Sequence, residues 1–415
     1  MPAKKSRPSI AILHYSCPPV IGGVEFVISA HAGLFAEAGF RTKLIVGKGG
    51  SVHPDVKTAV VPEISSDGGP VRRVVRSLLE GKVPEGFDAA VKRVESALSR
   101  NLRGVDICFM HNVMTMHFNL VLTAALANLI KRRRSPVFVA WTHDSTFGDS
   151  SYSRHQRYDY PWSVLSTPVP GCRYCAISEH CRKEITSLFG ISSSGVTVVP
   201  DGIDVPRLLG LTEPVRELFF REKLYETDVT ALTPTRIVRR KNLEAGIDIT
   251  AAIKKQGRRV RWIITGAPDP HNRDANEYFD RLLARRRQKR VQKEVIFLCE
   301  RFAGRVSDED LRGLFSLSDM LIFPSLREGF GIPVLEGGLA GQVLVLNDVP
   351  ALREIAGRRA VYIREGVSAA ETARKAIRAF DRSPRLRFRR EIISGYSWHS
   401  VFRKRILPLA ASVSR

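Results

Sequence analysis

Two glutamates, Glu328 and Glu336, lie eight residues apart in the run Pro324-Ser325-Leu326-Arg327-Glu328-Gly329-Phe330-Gly331-Ile332-Pro333-Val334-Leu335-Glu336. The preceding Asp319-Met320-Leu321-Ile322-Phe323 is a short apolar stretch ending at a proline, so it reads as a buried strand that delivers Glu328 on a loop. Gly329 and Gly331 let backbone approach a ligand closely, and Pro333 suits the first turn of a helix. Glu336 then falls about one turn into that helix, whose free N–H groups favour a phosphate. One Glu after one Gly would be read as a capping carboxylate. Two glycines, a proline and two glutamates in one segment fit better as a grip on a phosphate-bearing sugar.

A second segment, Thr233-Pro234-Thr235-Arg236-Ile237-Val238-Arg239-Arg240-Lys241-Asn242, follows a strand-like run and opens a helix. Arg236 and Lys241 there are suited to clamp a diphosphate and offset the charge that grows on it as it leaves, while Arg239 and Arg240 are expected to be exposed. A solvated basic turn is the plain alternative. Near the N-terminus, Pro18-Pro19-Val20-Ile21-Gly22-Gly23-Val24-Glu25 places paired glycines, Gly22 and Gly23, at a strand-to-helix turn where backbone can contact a diphosphate or a sugar. The pattern lacks the three spaced glycines of a dinucleotide fingerprint, which disfavours nicotinamide binding.

His143 closes the strand-like run Phe138 to Asp144, at the end from which an α/β enzyme projects residues toward its ligand. A lone histidine is more often structural, and the strand-end position raises the functional reading. His111 and Asn112 end a similar run and are expected to line the acceptor side. Two metal-like patterns have simpler explanations. Cys172 and Cys175, with His180 and Cys181 nearby, lie three apart in a strand, where side chains point to opposite faces, so structural thiols are expected. Asp308-Glu309-Asp310 follows Ser307 and precedes a helical run, which fits N-capping.

These residues need elements to hold them. A chain of 415 residues with 44% hydrophobic composition supports two domains, each with its own core. No apolar run approaches the ~20 residues of a membrane-spanning helix, and Met1 to Pro8 is basic without the apolar stretch of a signal peptide, so a soluble, cytoplasmic protein is expected. Six cysteines do not make a disulfide scaffold in so long a chain, and those in apolar runs, such as Cys108 and Cys299, are expected reduced and buried. The formal charge of +23 is dispersed in clusters, Lys131 to Arg134, Lys254 to Arg261, Arg281 to Arg290 and Arg382 to Arg390. Helix C-termini and solvated faces explain most of it. No aromatic-interleaved basic motif is present, so no specific nucleic acid is expected, whereas peripheral attraction to the anionic inner face of a membrane is consistent with the charge.

Apolar runs alternate with helical patterns along the first half, at Ser9 to Tyr15, Thr42 to Val46, Val56 to Val61, Val105 to Met110, Val137 to Trp141, Cys172 to Ile177 and Val196 to Val199. Val71 to Arg103 reads as two basic helices, and Ser145 to Pro170 as a long loop that could serve as a lid. After the turn Pro200-Asp201-Gly202-Ile203-Asp204 the alternation restarts at Val229 to Leu232, Val260 to Ile264, Val295 to Leu298, Met320 to Phe323, Val343 to Leu346 and Val361 to Ile363. This predicts an α/β architecture of two doubly wound parallel-sheet domains, 1–203 and 204–394, facing across a cleft, with a terminal helix in 395–415 packing back on the first.

Taken together, Gly22-Gly23-Val24-Glu25, Thr142-His143-Asp144, Val199 to Asp204, Arg236 with Lys241, and Glu328 to Glu336 resemble glycosyltransferase family 4 over nearly the whole chain and in the right order. The resemblance implies the GT-B fold, with two Rossmann-like domains, and a retaining hexosyl transfer from a nucleoside-diphosphate sugar to a hydroxyl acceptor, with no metal or other cofactor required. It implies that Glu336 holds the ribose and Glu328 the donor-sugar hydroxyls. The amides near Phe330 and Gly331 would join Arg236 and Lys241 on the diphosphate, with Gly22 and Gly23 closing over it and His143 beside the reacting centre. Asparagine is frequent in the family where this chain has Asp201. The donor sugar, the nucleotide base, the acceptor, the same-face or covalent route to retention, and the oligomeric state are left open. A nucleotide-sugar epimerase or hydrolase, and a basic binding protein on a degenerate version of the fold, are the alternatives. The intact Arg236, Lys241, Glu328 and Glu336 argue against degeneration.

Overall fold

The structure is a computed structural model and describes residues 7–67, 69–132, 135–268, 273–301 and 306–413. Met1 to Ser6, Arg133 and Arg134 of the first basic cluster, and the last two residues of the terminal segment lie outside the described residues. The chain divides into two compact units, Met1–Gly202 with Val401–Arg415, and Ile203–Ser400. The second segment of the first unit starts at Val401.

The first unit is built on strands β1 (Ile10–Ser16), β2 (Thr42–Lys48), β3 (Lys57–Val60), β4 (Ile107–His111), β5 (Val137–Thr142), β6 (Cys172–Ala176) and β7 (Val196–Val198), all at the expected places. They form one parallel sheet in the order β3-β2-β1-β4-β5-β6-β7. Every residue of β1 and β4 is buried, as strands covered on both faces require. The covering helices are α1 (Gly23–Glu37), α2 (Arg72–Leu79), α3 (Phe87–Asn101), α4 (Leu120–Arg132) and α5 (Glu179–Phe189). Ser178 caps α5 by accepting from the Cys181 amide, and Gly190, at φ 62°, ends it in the left-handed region.

The second unit contains α6 (Val205–Leu208), α7 (Glu213–Arg221), β8 (Val229–Thr233), α8 (Leu243–Lys255), β9 (Val260–Ile264), α9 (Arg273–Gln288), β10 (Val295–Phe297), α10 (Asp308–Leu317), β11 (Met320–Phe323), α11 (Ile332–Leu339), β12 (Val343–Asn347), α12 (Pro350–Ala356), β13 (Ala360–Ile363), α13 (Ala369–Asp381) and α14 (Pro384–Glu391). Its sheet is parallel in the order β10-β9-β8-β11-β12-β13. In each unit the strand order reverses beside the first strand, between β1 and β4 and between β8 and β11. Ligands of such sheets bind at the strand C-termini at that point. A short helix α15 (Trp398–Val401) leads to α16 (Leu407–Val413), and Phe402 between them packs edge-on against Phe35 of α1 at 5.1 Å.

Two expectations change. The Ser145 to Pro170 segment is not a free lid, because it carries short 3-10 turns at Ser150–His155 and Trp162–Leu165 and buries Trp162 and Leu165 completely or nearly so. His155 stacks on His117 with ring centroids 4.1 Å apart. The last basic cluster is not simply a solvated face either. Asp319, fully buried at the head of β11, takes Arg389 on Oδ1 at 2.8 Å and Arg390 on Oδ2, and Oδ2 also accepts from the Thr230 amide of β8 at 2.8 Å. Arg390 itself is buried and donates to the Leu224 carbonyl and the Thr227 hydroxyl. This network ties α14 to the N-terminal ends of β8 and β11. Breaking it strands a buried guanidinium, so Asp319→Ala should lower the unfolding free energy by about 3–5 kcal/mol in chemical denaturation; a loss below about 1 kcal/mol would contradict the role given to the network.

Candidate functional site

In the second unit the two loops that leave β8 and β11 meet. After β8 the chain runs to a 3-10 turn at Arg239–Lys241, and Asn242 adopts φ 48° before α8 begins. After β11, Ser325 is fully buried, its Oγ 3.3 Å from the Arg240 carbonyl and 3.2 Å from that of Arg327. The Leu326 amide donates to the Arg240 carbonyl at 2.8 Å. Across this seam the Lys241 ammonium, only 8% exposed, donates to Glu328 Oε1 and lies 4.8 Å from the centroid of the Phe323 ring. Arg240 Nη1 stands 3.5 Å from the same carboxylate oxygen and donates to the Arg327 carbonyl at 3.2 Å. Burial acts to raise the Glu328 carboxyl, but the Lys241 hydrogen bond and the Lys241 and Arg240 charges outweigh it and hold the group below the usual carboxylate range. Glu328 is thus ionised at neutral pH and can only accept hydrogen bonds, and Lys241 keeps two further N–H donors.

Gly331 opens α11 at φ 109°, a backbone conformation that favours glycine, and a Cβ there would also press on the tip of the Leu352 side chain at 2.6 Å. Pro333 sits in the first turn, as expected, and Phe330, Ile332 and Leu335 are exposed beside it. Glu336, half-buried on α11, faces α10 across a recess of about 390 Å³ lined by Asp308, Arg312, Phe315 and Leu339. Burial, then the Asp308 charge, raises its carboxyl above the usual range. The two glutamates therefore occupy opposite electrostatic settings. Arg236 is exposed and makes no ion pair among the described residues, and the Gly266 backbone packs beneath it, with Gly266 N donating to the Thr235 carbonyl at 2.9 Å. Asp308 to Asp310 form a helix start: Ser307 and Asp310 make a reciprocal capping box.

In the first unit, Gly22 caps α1 and Gly23 begins it. A side chain on Gly22 would strike the Glu25 carboxylate, which folds back to accept from Ser16 Oγ at 2.5 Å, whereas Gly23 has open space around its Cα. His143, at the end of β5 and nearly buried, lies with Nε2 3.1 Å from His111 Nδ1 and with Nδ1 3.6 Å from Asp201 Oδ2. Asn112, at φ 58°, accepts on Oδ1 from the His143 and Asp144 amides. His111 and Asn112, expected to line the acceptor side, are both buried. His111 is fully buried, its ring stacked on Trp141 at 5.1 Å, and both residues brace His143 from behind. His14 joins them, its Nδ1 donating to the His111 carbonyl at 2.7 Å and its Nε2 3.8 Å from Glu25. Burial pushes His14 down to about 4 and His31 to about 3, and holds His111 well below its usual value. Cys175 and Cys181 are buried thiols, Cys181 pushed up to about 11 mainly by burial.

Several site residues were not singled out from the sequence. Arg240, exposed as expected, also reaches Glu328; Ser325, Glu25, His14 and Asp201 complete the two clusters. All but His14 lie inside motifs already noted, and what the motifs lack is the pairing across strands, which only topology supplies.

Comparison with known proteins follows the division into halves. Residues 21–207 match the family model described as Glycosyltransferase Family 4, and residues 214–393 match Glycosyl transferases group 1. The chain belongs to this glycosyltransferase family. It is 28% identical over 186 residues to the serotype-specific mannosyltransferase WbdA of Escherichia coli, covering 41% of this chain and 22% of that protein. It is 26% identical to an uncharacterized glycosyltransferase of Methanocaldococcus jannaschii, covering 60% and 59% of the two chains. The chain thus spans about a fifth and about three fifths of the lengths of these relatives. Sucrose-phosphate synthase from Thermosynechococcus elongatus aligns over 98% of this chain and 99% of that one at 17% identity, with a TM-score of 0.38.

The buried neutral histidines carry a pH dependence. His14, and His117 at about 4 for the same main reason, bind protons in the unfolded chain between pH 6.5 and 4 but not in the folded one. Their contribution to stability is complete above pH 6.5 and is lost as the pH falls toward 4, at about 2 kcal/mol per histidine between pH 7 and 5. Unfolding curves at the two pH values should show this loss, and His117→Gln should shrink it. An equal loss in the variant would remove His117 from the account.

Proposed function

We propose that the protein is a retaining glycosyltransferase that moves a hexose from a nucleoside-diphosphate sugar to a hydroxyl acceptor, whether glycan, lipid or small molecule. The observation that carries this reading is the pair of buried Lys241 with half-buried Glu328 between the ends of adjacent strands β8 and β11, beside a glycine-rich turn that opens a helix. A cation fixed there, with exposed Arg236 nearby in sequence and the free amides at the start of α11, suits a departing diphosphate. These groups supply the positive charge, so the reading needs no metal or other cofactor. Glu328, ionised, accepts from donor-sugar hydroxyls, and Glu336 from the ribose. Gly22 and Gly23 leave backbone free to approach the donor, and His143 acts beside the sugar. Most of the rate then comes from stabilising the leaving group and an oxocarbenium-like sugar.

Mannosyltransferases among the relatives make a mannose donor the first to test. Among the described residues no helix is long and apolar enough to cross a membrane, and the +23 charge supports a peripheral position at an anionic surface.

A thermal-shift screen with UDP-glucose, GDP-mannose and ADP-glucose should single out one donor. Glu336→Ala should weaken its binding about tenfold, the worth of one hydrogen bond to a carboxylate. Lys241→Ala should slow turnover ~10²–10³-fold. Arg236→Ala, at an exposed and unpaired site, should slow it without lowering the melting temperature. Donor affinity and turnover equal to the parent in all three variants would refute the assignment.

A further inference from the structure

The turn after β7 brings Asp201 back toward the end of β5, across the intervening β6, where Cys175 is fully buried. Its Oδ2 stands 3.6 Å from His143 Nδ1, and among the described residues no other cation is within ion-pair distance of it. Its Oδ1 is buried without a hydrogen-bond partner. An unpaired buried carboxylate oxygen costs stability, so nothing in the folding of this unit recommends a carboxylate at this position. The histidine line explains it.

The acceptors along that line fix its protons. The His111 carbonyl can only accept, so His14 Nδ1 carries a hydrogen. At His143, a lone pair on Nδ1 would face the Asp201 carboxylate, whereas an N–H is attracted to it, so Nδ1 carries the hydrogen and Nε2 the lone pair. That lone pair accepts from His111 Nδ1–H at 3.1 Å, leaving His111 Nε2 as a buried nitrogen with no hydrogen-bond partner. Asn112 holds the backbone of His143 in place through its amide. The other neutral form of His143 would leave its Nδ1 lone pair against the carboxylate and place the His111 hydrogen on a buried nitrogen with no acceptor.

We infer that Asp201 is the positioning residue of His143, setting its orientation and its neutral tautomer. The titratable groups around His143 are Asp201 from the β7 turn, His111 and His14 from β4 and β1, His31 from α1, and its neighbour Asp144. This inference rests on the reading of His143 as a residue of the transfer site.

The test uses the full chain labelled with ¹⁵N-histidine, with His143→Gln assigning the His143 signals. The parent should show His143 protonated at Nδ1 at neutral pH, and Asp201→Asn, which keeps the shape, should shift the population toward Nε2–H. Release of nucleoside diphosphate from GDP-mannose and UDP-glucose, with water as acceptor, gives the second readout. In Asp201→Asn kcat should fall severalfold while KM stays within about twofold, the pattern of a group misplaced only for the chemical step. Identical tautomer populations in parent and Asp201→Asn would overturn the inference, whatever happens to melting temperature. If His143→Gln turns over donor like the parent, the reading of His143 as a transfer-site residue fails, and the tautomer comparison still decides what Asp201 does.

Discussion

An ammonium group taken out of water is tolerated only where a carboxylate meets it in good geometry, and in the second unit that condition is satisfied by Lys241 and Glu328. Neither residue belongs to a strand. Each hangs on a loop, and the loops are fixed to one another by Ser325 and by the Leu326 amide, both directed at the Arg240 carbonyl. The parent strands β8 and β11 are fixed in turn: Thr233 Oγ1 donates to the Ile322 carbonyl and receives the Trp262 indole N–H at 2.7 Å. At the far ends of the same strands Asp319 accepts from Thr230 and from two arginines. The strands are thus held at one end by neutral buried hydrogen bonds and at the other by buried charge, which leaves little freedom in the register that carries Lys241 to Glu328.

The alternation of apolar runs made the strands legible, because parallel strands covered on both faces need unbroken apolar sequence. All thirteen strands lie where the runs do. The glycine, proline and glutamate spacing made the α11 site legible for a similar reason, since each residue answers a local backbone demand. What could not be read was pairing across the sheet. Arg240 looked like its neighbour Arg239, and only the seam with Arg327 and Glu328 separates them. Asp201 sits 58 residues beyond His143 and meets it only because β5, β6 and β7 lie side by side. The long Ser145 to Pro170 segment misled for the opposite reason: its Ser, Tyr and Pro content is that of a loop, while its anchors Trp162 and Leu165 are few and irregularly spaced.

The same limit applies to charge. A count of +23 suggests a positive surface, yet much of the clustered cation content is neutralised locally. Arg285 and Lys289 share Asp248, Arg286 pairs with Glu300, Lys254 with Glu294, Arg258 with Asp381 and Arg259 with Asp228. Exposed pairs of this kind contribute little to stability but remove the field at short range. The formal count already includes these carboxylates, so the +23 excess rests on cations outside the pairs.

The two units use one topology with opposite electrostatics. At the reversal of its strand order the second unit buries charges in pairs, whereas the first buries imidazole rings that burial keeps neutral. A pair of buried charges is insensitive to pH over the neutral range, as the depressed Glu328 carboxyl illustrates. A line of neutral rings is not, because acid must eventually place a charge on it. On the proposed function, a bound diphosphate calls for charge that persists, which the second unit provides, and the first unit presents to the sugar a histidine, His143, whose orientation and neutral tautomer Asp201 sets.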